Sequence, residues 1–235
     1  DFMWEQYVER TGDLLPLPEF YWRREKWGTK EKITFAMTRW TLGQAIVVFN
    51  TKWLLDVWRG AYGLDEERIR VIENAIDPPE DVVPARQKNF IFYSRQITLK
   101  NAPAFKRAFV AAQRTYPDIK LEEGTVPYAE LVDKIKHCYA VVVPSISEVA
   151  PNYILDALRA GKPFLLTKYS GYAEQFKDYG IIIDPLDESD VTRGIEELAK
   201  VEIYERLCAR IAGFNEQHTY EDIAQEFLAI LDERT

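Results

Sequence analysis

Residues Pro144–Pro163 read PSISEVAPNYILDALRAGKP. The apolar run Tyr139–Val143 leads into this stretch. Glu148 follows in a loop, then a segment at helical spacing carrying Asp156, then Gly161-Lys162-Pro163 as a stop. A buried strand, a polar loop and a helix closed by Gly and Pro is how a strand-to-helix unit of a parallel sheet is written. Pro151 suits a first helical turn, so residues 149–153 are expected to present unpaired N–H groups and the positive end of the helix dipole. Phosphate groups use such a site. Two plainer readings stand beside this one: Glu148 as a helix-start carboxylate, and Asp156 as a solvated side chain. The poor helix propensity of Asp favours a polar task for Asp156.

The alternation extends outward from this segment. Strand-like runs are expected at Phe90–Tyr93, Ile119–Leu121, Tyr139–Val143, Phe164–Thr167 and Ile181–Ile183, with helices near 103–115, 128–137, 151–160, 171–178 and 188–200. This pattern predicts an α/β fold, a doubly wound parallel sheet with helices on both faces, binding its ligand at the carboxyl ends of the strands. Upstream, Ile46–Phe49 and Ile69–Ile72 read as two more strands flanking a helix that is capped by Asn50-Thr51 and stopped by Gly63. Pro78, Pro79 and Pro84 mark a linker over 78–88. The resulting division is 1–77, linker 78–88, 89–202, and two amphipathic helices over 203–235 broken at Gly213-Phe214-Asn215. Residues 1–45 are rich in aromatics interleaved with Arg and Lys. They read either as helices covering a sheet edge or as a surface facing an acceptor or a membrane.

Composition narrows the class. The 235 residues are 47% hydrophobic and 13% aromatic, enough for a packed core. A net charge of −8 argues against a general nucleic-acid binder. Cys138 and Cys208 read as free, buried thiols of a reducing compartment. No apolar run is long enough to span a membrane. The start, Asp1-Phe2-Met3-Trp4, lacks an initiator Met and a signal-peptide pattern, so the chain is expected to be a fragment.

Four loops carry candidate chemistry, each directly after a strand. In Ser94–Lys100, Arg95 and Lys100 can converge on a diphosphate, although two cations on a loop also describe a solvated surface. In Gly124-Thr125-Val126-Pro127, the backbone of Val126 can read a base edge; a plain turn is the alternative. The third loop is 148–156. The fourth, Ser170-Gly171, is expected to open another helix and add backbone donors. Two histidines, His137 and His218, make a histidine metal cluster improbable, and there is no Asp-x-Asp triplet. Gly161-Lys162-Pro163 is not a P-loop, and no Gly-x-Ser-x-Gly elbow occurs.

In this order the motifs resemble those of the C-terminal, donor-binding half of GT-B glycosyltransferases of the retaining, GT4-like (group 1) kind. Arg70–Asp77 is similar to the family's "vIpNGiD" strand end and Ser94-Arg95…Lys100 to its "GR…K" loop. Gly124-Thr125-Val126 is similar to the base-binding turn. Pro144-Ser145…Glu148, with Asp156-Ala157-Leu158-Arg159-Ala160-Gly161-Lys162-Pro163, is similar to "PS…E-x7-E-A-x-A-x-G-x-P". Ser170-Gly171…Glu174 resembles "GG…E", and Gly180…Pro185 resembles "G.lv.p". The resemblance spans about 45–235.

The resemblance implies that Arg95 and Lys100 neutralise a leaving diphosphate and that Glu148 contacts sugar hydroxyls. It gives the ribose hydroxyls to Asp156, the base to Val126, and a backbone cradle to Ala150, Pro151, Asn152 and Gly171. It implies a UDP-, GDP- or ADP-linked sugar as donor substrate, retention, no metal and no other cofactor. It also implies a saccharide, lipid or other acceptor bound through an N-terminal domain of which 1–77 is the tail. The protein is then a cytoplasmic enzyme, at the inner membrane face in one reading, serving polysaccharide biosynthesis, and the fragment alone is inactive. The alternatives are an inactive GT-B-like interaction module and a GT-B nucleotide-sugar epimerase. This chain departs from the family pattern at Asp156 (usually Glu), Ala75 and Ser170 (usually Gly), and Val149–Asn152 (usually Gly-Phe-Gly-like). Pro151 removes one amide donor.

Overall fold

A computed structural model describes residues 2–232; residue 1 and residues 233–235, the outer ends of the 1–77 and 203–235 segments, lie outside it. The chain divides into two compact units, one of residues 1–75 with 218–235 and one of Ile76–Gln217.

In the first unit, α1 (Phe2–Thr11), α2 (Leu17–Trp22) and α3 (Thr29–Leu42) precede β1 (Val47–Phe49), α4 (Lys52–Tyr62) and β2 (Ile69–Val71). β1 and β2 pair in parallel, Val47 opposite Ile69. Thr51 caps α4 by accepting from the Leu54 N–H, and Gly63 closes it in the left-handed conformation, as its sequence signals predict. Trp4, Tyr7, Phe20, Tyr21 and Trp27 are buried. The indole N–H groups of Trp4 and Trp27 donate to the carbonyls of Leu15 and Phe20. Most of the N-terminal aromatics are therefore core, but Trp22 and Trp40 are exposed.

The second unit is built on β3 (Asn89–Tyr93), α5 (Ala102–Thr115), β4 (Lys120–Gly124), α6 (Tyr128–His137), β5 (Ala140–Val143), α7 (Asn152–Arg159), β6 (Phe164–Thr167), β7 (Gly180–Ile183), α8 (Glu188–Ala199) and α9 (Val201–Ile211). The strands form one sheet in the order β4-β3-β5-β6-β7, every neighbour parallel. β5 and β6 are buried along their whole length, the mark of a sheet covered on both faces. Side chains alternate accordingly. Ile91, Val141 and Val143 pack with α7 and Phe176 on one face, while Phe90, Val142 and Leu165 pack with α5 and α8 on the other. The fold is the α/β, doubly wound parallel sheet with helices on both faces that the alternation predicts.

Three local differences have physical causes. The helix expected over 171–178 is absent: the stretch is a series of turns, with Ala173 bonding back to Ser170 and Tyr179 to Phe176. Tyr172 and Phe176 are buried in the core, so packing anchors each turn separately and no continuous helix propagates. Pro151 stands at the N-cap, one residue outside α7. The 78–88 segment lies within the second unit and is tied to it. The Glu80 N–H donates to Arg159 O at 2.9 Å, and the buried Lys162 Nζ donates to Val83 O at 2.5 Å. Gly161 has φ +71°, and a Cβ there would lie 2.5 Å from Val82 Cγ2, so this stop glycine is also what lets the segment pack. Of the cysteines, both free, Cys138 is buried and Cys208 half-buried; burial pushes the Cys138 thiol up to about 12. Past α9, α10 (Tyr220–Asp232) belongs to the first unit and has no buried residue among those described.

Candidate functional site

β3 runs to β4 on one side, while β5, β6 and β7 follow on the other, so the strand order reverses between β3 and β5. In such sheets the crevice beyond the carboxyl ends at the reversal is where ligands bind. Two candidate loops leave those two strand ends, and the chain locks them together. Ile146 N–H donates to Leu99 O at 2.9 Å. Asn101, buried and held at φ 56°, donates through Nδ2 to Pro185 O at 2.8 Å and to Pro144 O at 3.3 Å. Its own carbonyl receives Phe105 N–H, starting α5. The 98–101 turn is thus fixed on the 144–146 loop before any side chain reaches the crevice.

This scaffold sets Lys100 against Glu148. Lys100 Nζ forms an ion pair with Glu148 Oε1, and Ser145 Oγ donates to the same oxygen at 2.7 Å. Both charged side chains are mostly shielded, at 20% and 17% exposure, so the pair is less screened than a surface pair. A cleft of about 210 Å³ opens beside them. Arg95, Lys100, Glu148, Pro151 and Asn152 line it, and so do Tyr93, Ser145 and Tyr153. Five residues singled out by motif therefore share one cavity wall.

The remaining candidates lie outside that lining. Thr125 Oγ1 donates to Ser94 O at 2.8 Å and Ser94 N–H to Gly124 O at 3.1 Å, which holds the turn bearing Val126 beside the Arg95 loop. Ala150 is half-buried in the loop before α7. Gly171 does not begin a helix. Its N–H donates to the carbonyls of Glu148 and Val149 at 3.1 Å each, so the amide assigned to a ligand cradle is spent fastening the 148–150 loop. Asp156 faces Glu80, Lys136 and Arg159 and accepts from Tyr128 Oη at 3.0 Å. Burial raises its carboxyl above the usual Asp range, and the Tyr128 hydrogen bond opposes that shift.

Sequence reasoning missed Asn101, Tyr93, Tyr128 and Tyr153 and gave Ser145 no role of its own. Asn101 was open to detection, because Asn before Ala-Pro is a helix-start signal. The tyrosines carry no such local signal. Tyr153 reaches the cleft from the first turn of α7.

The fold and this order of loops are similar to those of the C-terminal domain of GT-B-type proteins. Residues 123–217, from the end of β4 to the end of the second unit, match the family described as glycosyl transferases group 1. No curated protein sequence matches the chain. Similar solved structures include the sucrose-phosphate synthase of Thermosynechococcus elongatus, with 12% identity over 93% of this chain and 65% of that one and a TM-score of 0.65. Anabaena HepE in complex with UDP and glucose shows 13% identity over 89% of this chain and 68% of that one, with a TM-score of 0.64. A mutant of S. aureus TarM in complex with fondaparinux, α-GlcNAc-glycerol and UDP shows 14% identity over 78% of this chain, with a TM-score of 0.62. This chain spans 43% of the length of that TarM. At these identities the likeness is one of fold.

Proposed function

We propose that this chain is the donor side of a retaining glycosyltransferase that takes a sugar from a nucleoside-diphosphate sugar. The observation that carries this reading is the convergence of Arg95, Lys100, Glu148 and Ser145 on one cleft at the reversal point of the sheet. When the bond between the sugar's anomeric carbon and the phosphate oxygen breaks, the electron pair stays with the nucleoside diphosphate. Fixed cations positioned where that charge grows lower the barrier. Arg95 and Lys100 fill this role, and Glu148 addresses sugar hydroxyls. Lys100 then exchanges part of its pairing with Glu148 for the diphosphate. Val126 takes the base, and Asp156 the ribose hydroxyls. That HepE and TarM were each solved with UDP supports a nucleotide of this type.

Calorimetry with UDP, GDP and ADP tests the proposal. At least one should bind, and Arg95→Ala and Lys100→Ala should weaken the diphosphate far more than the matching nucleoside. Equal losses for both ligands, or no binding by any nucleotide to the folded chain, would overturn the assignment. A second reading has its own observation. Pro151 has no N–H and the Gly171 amide is already bonded, so the cradle offers fewer backbone donors than the motif implies. This favours a module that binds a nucleotide sugar without transferring it. NMR detection of released sugar or of a new glycosidic product separates the two.

Contact with an anionic membrane belongs to the same proposal. Over residues 22–42 six cations stand against two carboxylates, a net +4 in a chain of −8. Ile33, Met37 and Trp40 form an exposed apolar stripe along α3.

A further inference from the structure

Tyr128 is the first residue of α6, two positions after Val126, and its side chain is directed at α7. Its hydroxyl donates to Asp156 Oδ1 at 3.0 Å, while the residue as a whole remains 61% exposed. Asp156 is half-buried, with Asp77, Glu80 and Arg159 as its charged neighbours. An ionised carboxylate is an acceptor only, and a vicinal diol binds it best by giving one hydroxyl to each oxygen. Tyr128 stands on one of those two oxygens and follows the turn assigned to the base by two residues.

On the reading above, in which Asp156 takes the ribose diol, we infer that Tyr128 is a specificity-determining gate of the nucleoside pocket. Its hydroxyl satisfies Asp156 Oδ1 until a vicinal diol displaces it. The exchange is balanced in hydrogen bonds when two hydroxyls arrive: one replaces the phenol on Oδ1 and the other takes Oδ2. A ligand with a single ribose hydroxyl uses Oδ2 alone and leaves Tyr128 in place. The exposed ring can swing outward with little loss of buried apolar surface. Tyr128 thereby raises the threshold for all ribonucleotides and makes occupancy depend on the diol.

The test is calorimetry of the chain and its Tyr128→Phe variant with UDP, GDP and ADP, their 2′-deoxy counterparts, and inorganic pyrophosphate. Phe keeps the ring and removes only the competing hydroxyl. Affinity for the ribonucleoside diphosphate should rise about three- to tenfold, the size of one typical net hydrogen bond. Affinity for the 2′-deoxy compound and for pyrophosphate should stay unchanged. An unchanged or weaker ribonucleotide affinity in Tyr128→Phe would overturn the gate while leaving the donor-site reading intact. So would an equal gain for all three ligand types. Asp156→Asn checks the footing: it should erase the difference between ribo and deoxy ligands. A difference that persists removes Asp156 from the ribose site, and the gate with it. Binding of no nucleotide by either the parent chain or Tyr128→Phe overturns both readings. Binding by the variant alone supports the gate.

Discussion

Ser145 is buried, at 1% exposure, and its hydroxyl donates to Glu148 Oε1, the oxygen that also pairs with Lys100. Two donors on one oxygen fix the carboxylate's rotamer and leave Oε2 for a sugar hydroxyl. Removing the serine hydroxyl should therefore disturb the sugar end of a bound donor and spare the nucleotide end. For Ser145→Ala we expect the affinity for a nucleoside-diphosphate sugar to fall about three- to tenfold, the weight of one typical net hydrogen bond, with the affinity for the free nucleoside diphosphate unchanged. Isothermal titration of both ligands decides this, and a parallel loss for both would mean that Ser145 supports the loop as a whole. At this scale the site was partly legible in the sequence. Arg95, Lys100, Glu148, Pro151 and Asn152 follow strand ends in a fixed order, and a parallel sheet brings strand ends together. Tyr128 and Asn101 act through contacts between residues 28 and 43 or more positions apart, which no local pattern encodes.

Among the elements, β4 is an edge strand and carries a polar network where a central strand carries apolar side chains. Glu122 accepts from Lys134 at 2.7 Å, from Tyr93 Oη at 2.5 Å and from Asn89 Nδ2 at 2.8 Å. The Lys134 hydrogen bond, then that of Tyr93, holds its carboxyl well below the usual range, at about 2. A carboxylate whose folded value lies below its unfolded one stabilises the fold fully above about pH 4.5, and that contribution disappears as pH falls toward 2. Glu122 is 37% exposed, so screening reduces the effect. Glu122→Ala should cost about 1 kcal/mol at neutral pH, and the gap to the parent should narrow progressively as pH falls from 4.5 toward 2. Urea melts at pH 7 and pH 2.5 would show it; a gap independent of pH would assign the loss to packing. In α3 the exposed Met37 and Trp40 make a second element-scale case. Met37→Asp with Trp40→Asp should reduce sedimentation with anionic vesicles more than tenfold, since burying each apolar side chain contributes about 1.5–3 kcal/mol. The parent's binding should also weaken with salt. If the parent shows no vesicle binding, the stripe has another use. Element type was legible wherever strand burial and helix period agreed, as in β5 and α7. It failed at 171–178, where Tyr172 and Phe176 are spaced as on a helix face but are taken into the core turn by turn.

For the whole molecule, the division of the chain makes a sharper claim than any single residue. Every residue lining the cleft, from Phe92 to Tyr153, lies in the unit Ile76–Gln217, and so do Val126 and Asp156. That unit holds its own sheet with two covered faces, so on the proposed reading every residue assigned to the nucleotide belongs to one unit. A ligand at a hundred times its dissociation constant should stabilise the unit that binds it by about 2.7 kcal/mol. For a domain of this size that amounts to a rise of roughly 5–15 °C in its melting temperature. Hydrogen exchange locates the effect. With UDP, or whichever nucleoside diphosphate binds, protection should increase over 93–101, 124–128 and 145–156 and stay unchanged over 2–75. The two units also warn against a single unfolding free energy, because a chain with two cores need not melt in one step. Protection that appears mainly in 2–75, or a thermal shift without any change at 93–101 and 145–156, would place the nucleotide elsewhere and remove the basis for assigning Arg95, Lys100 and Glu148 to it.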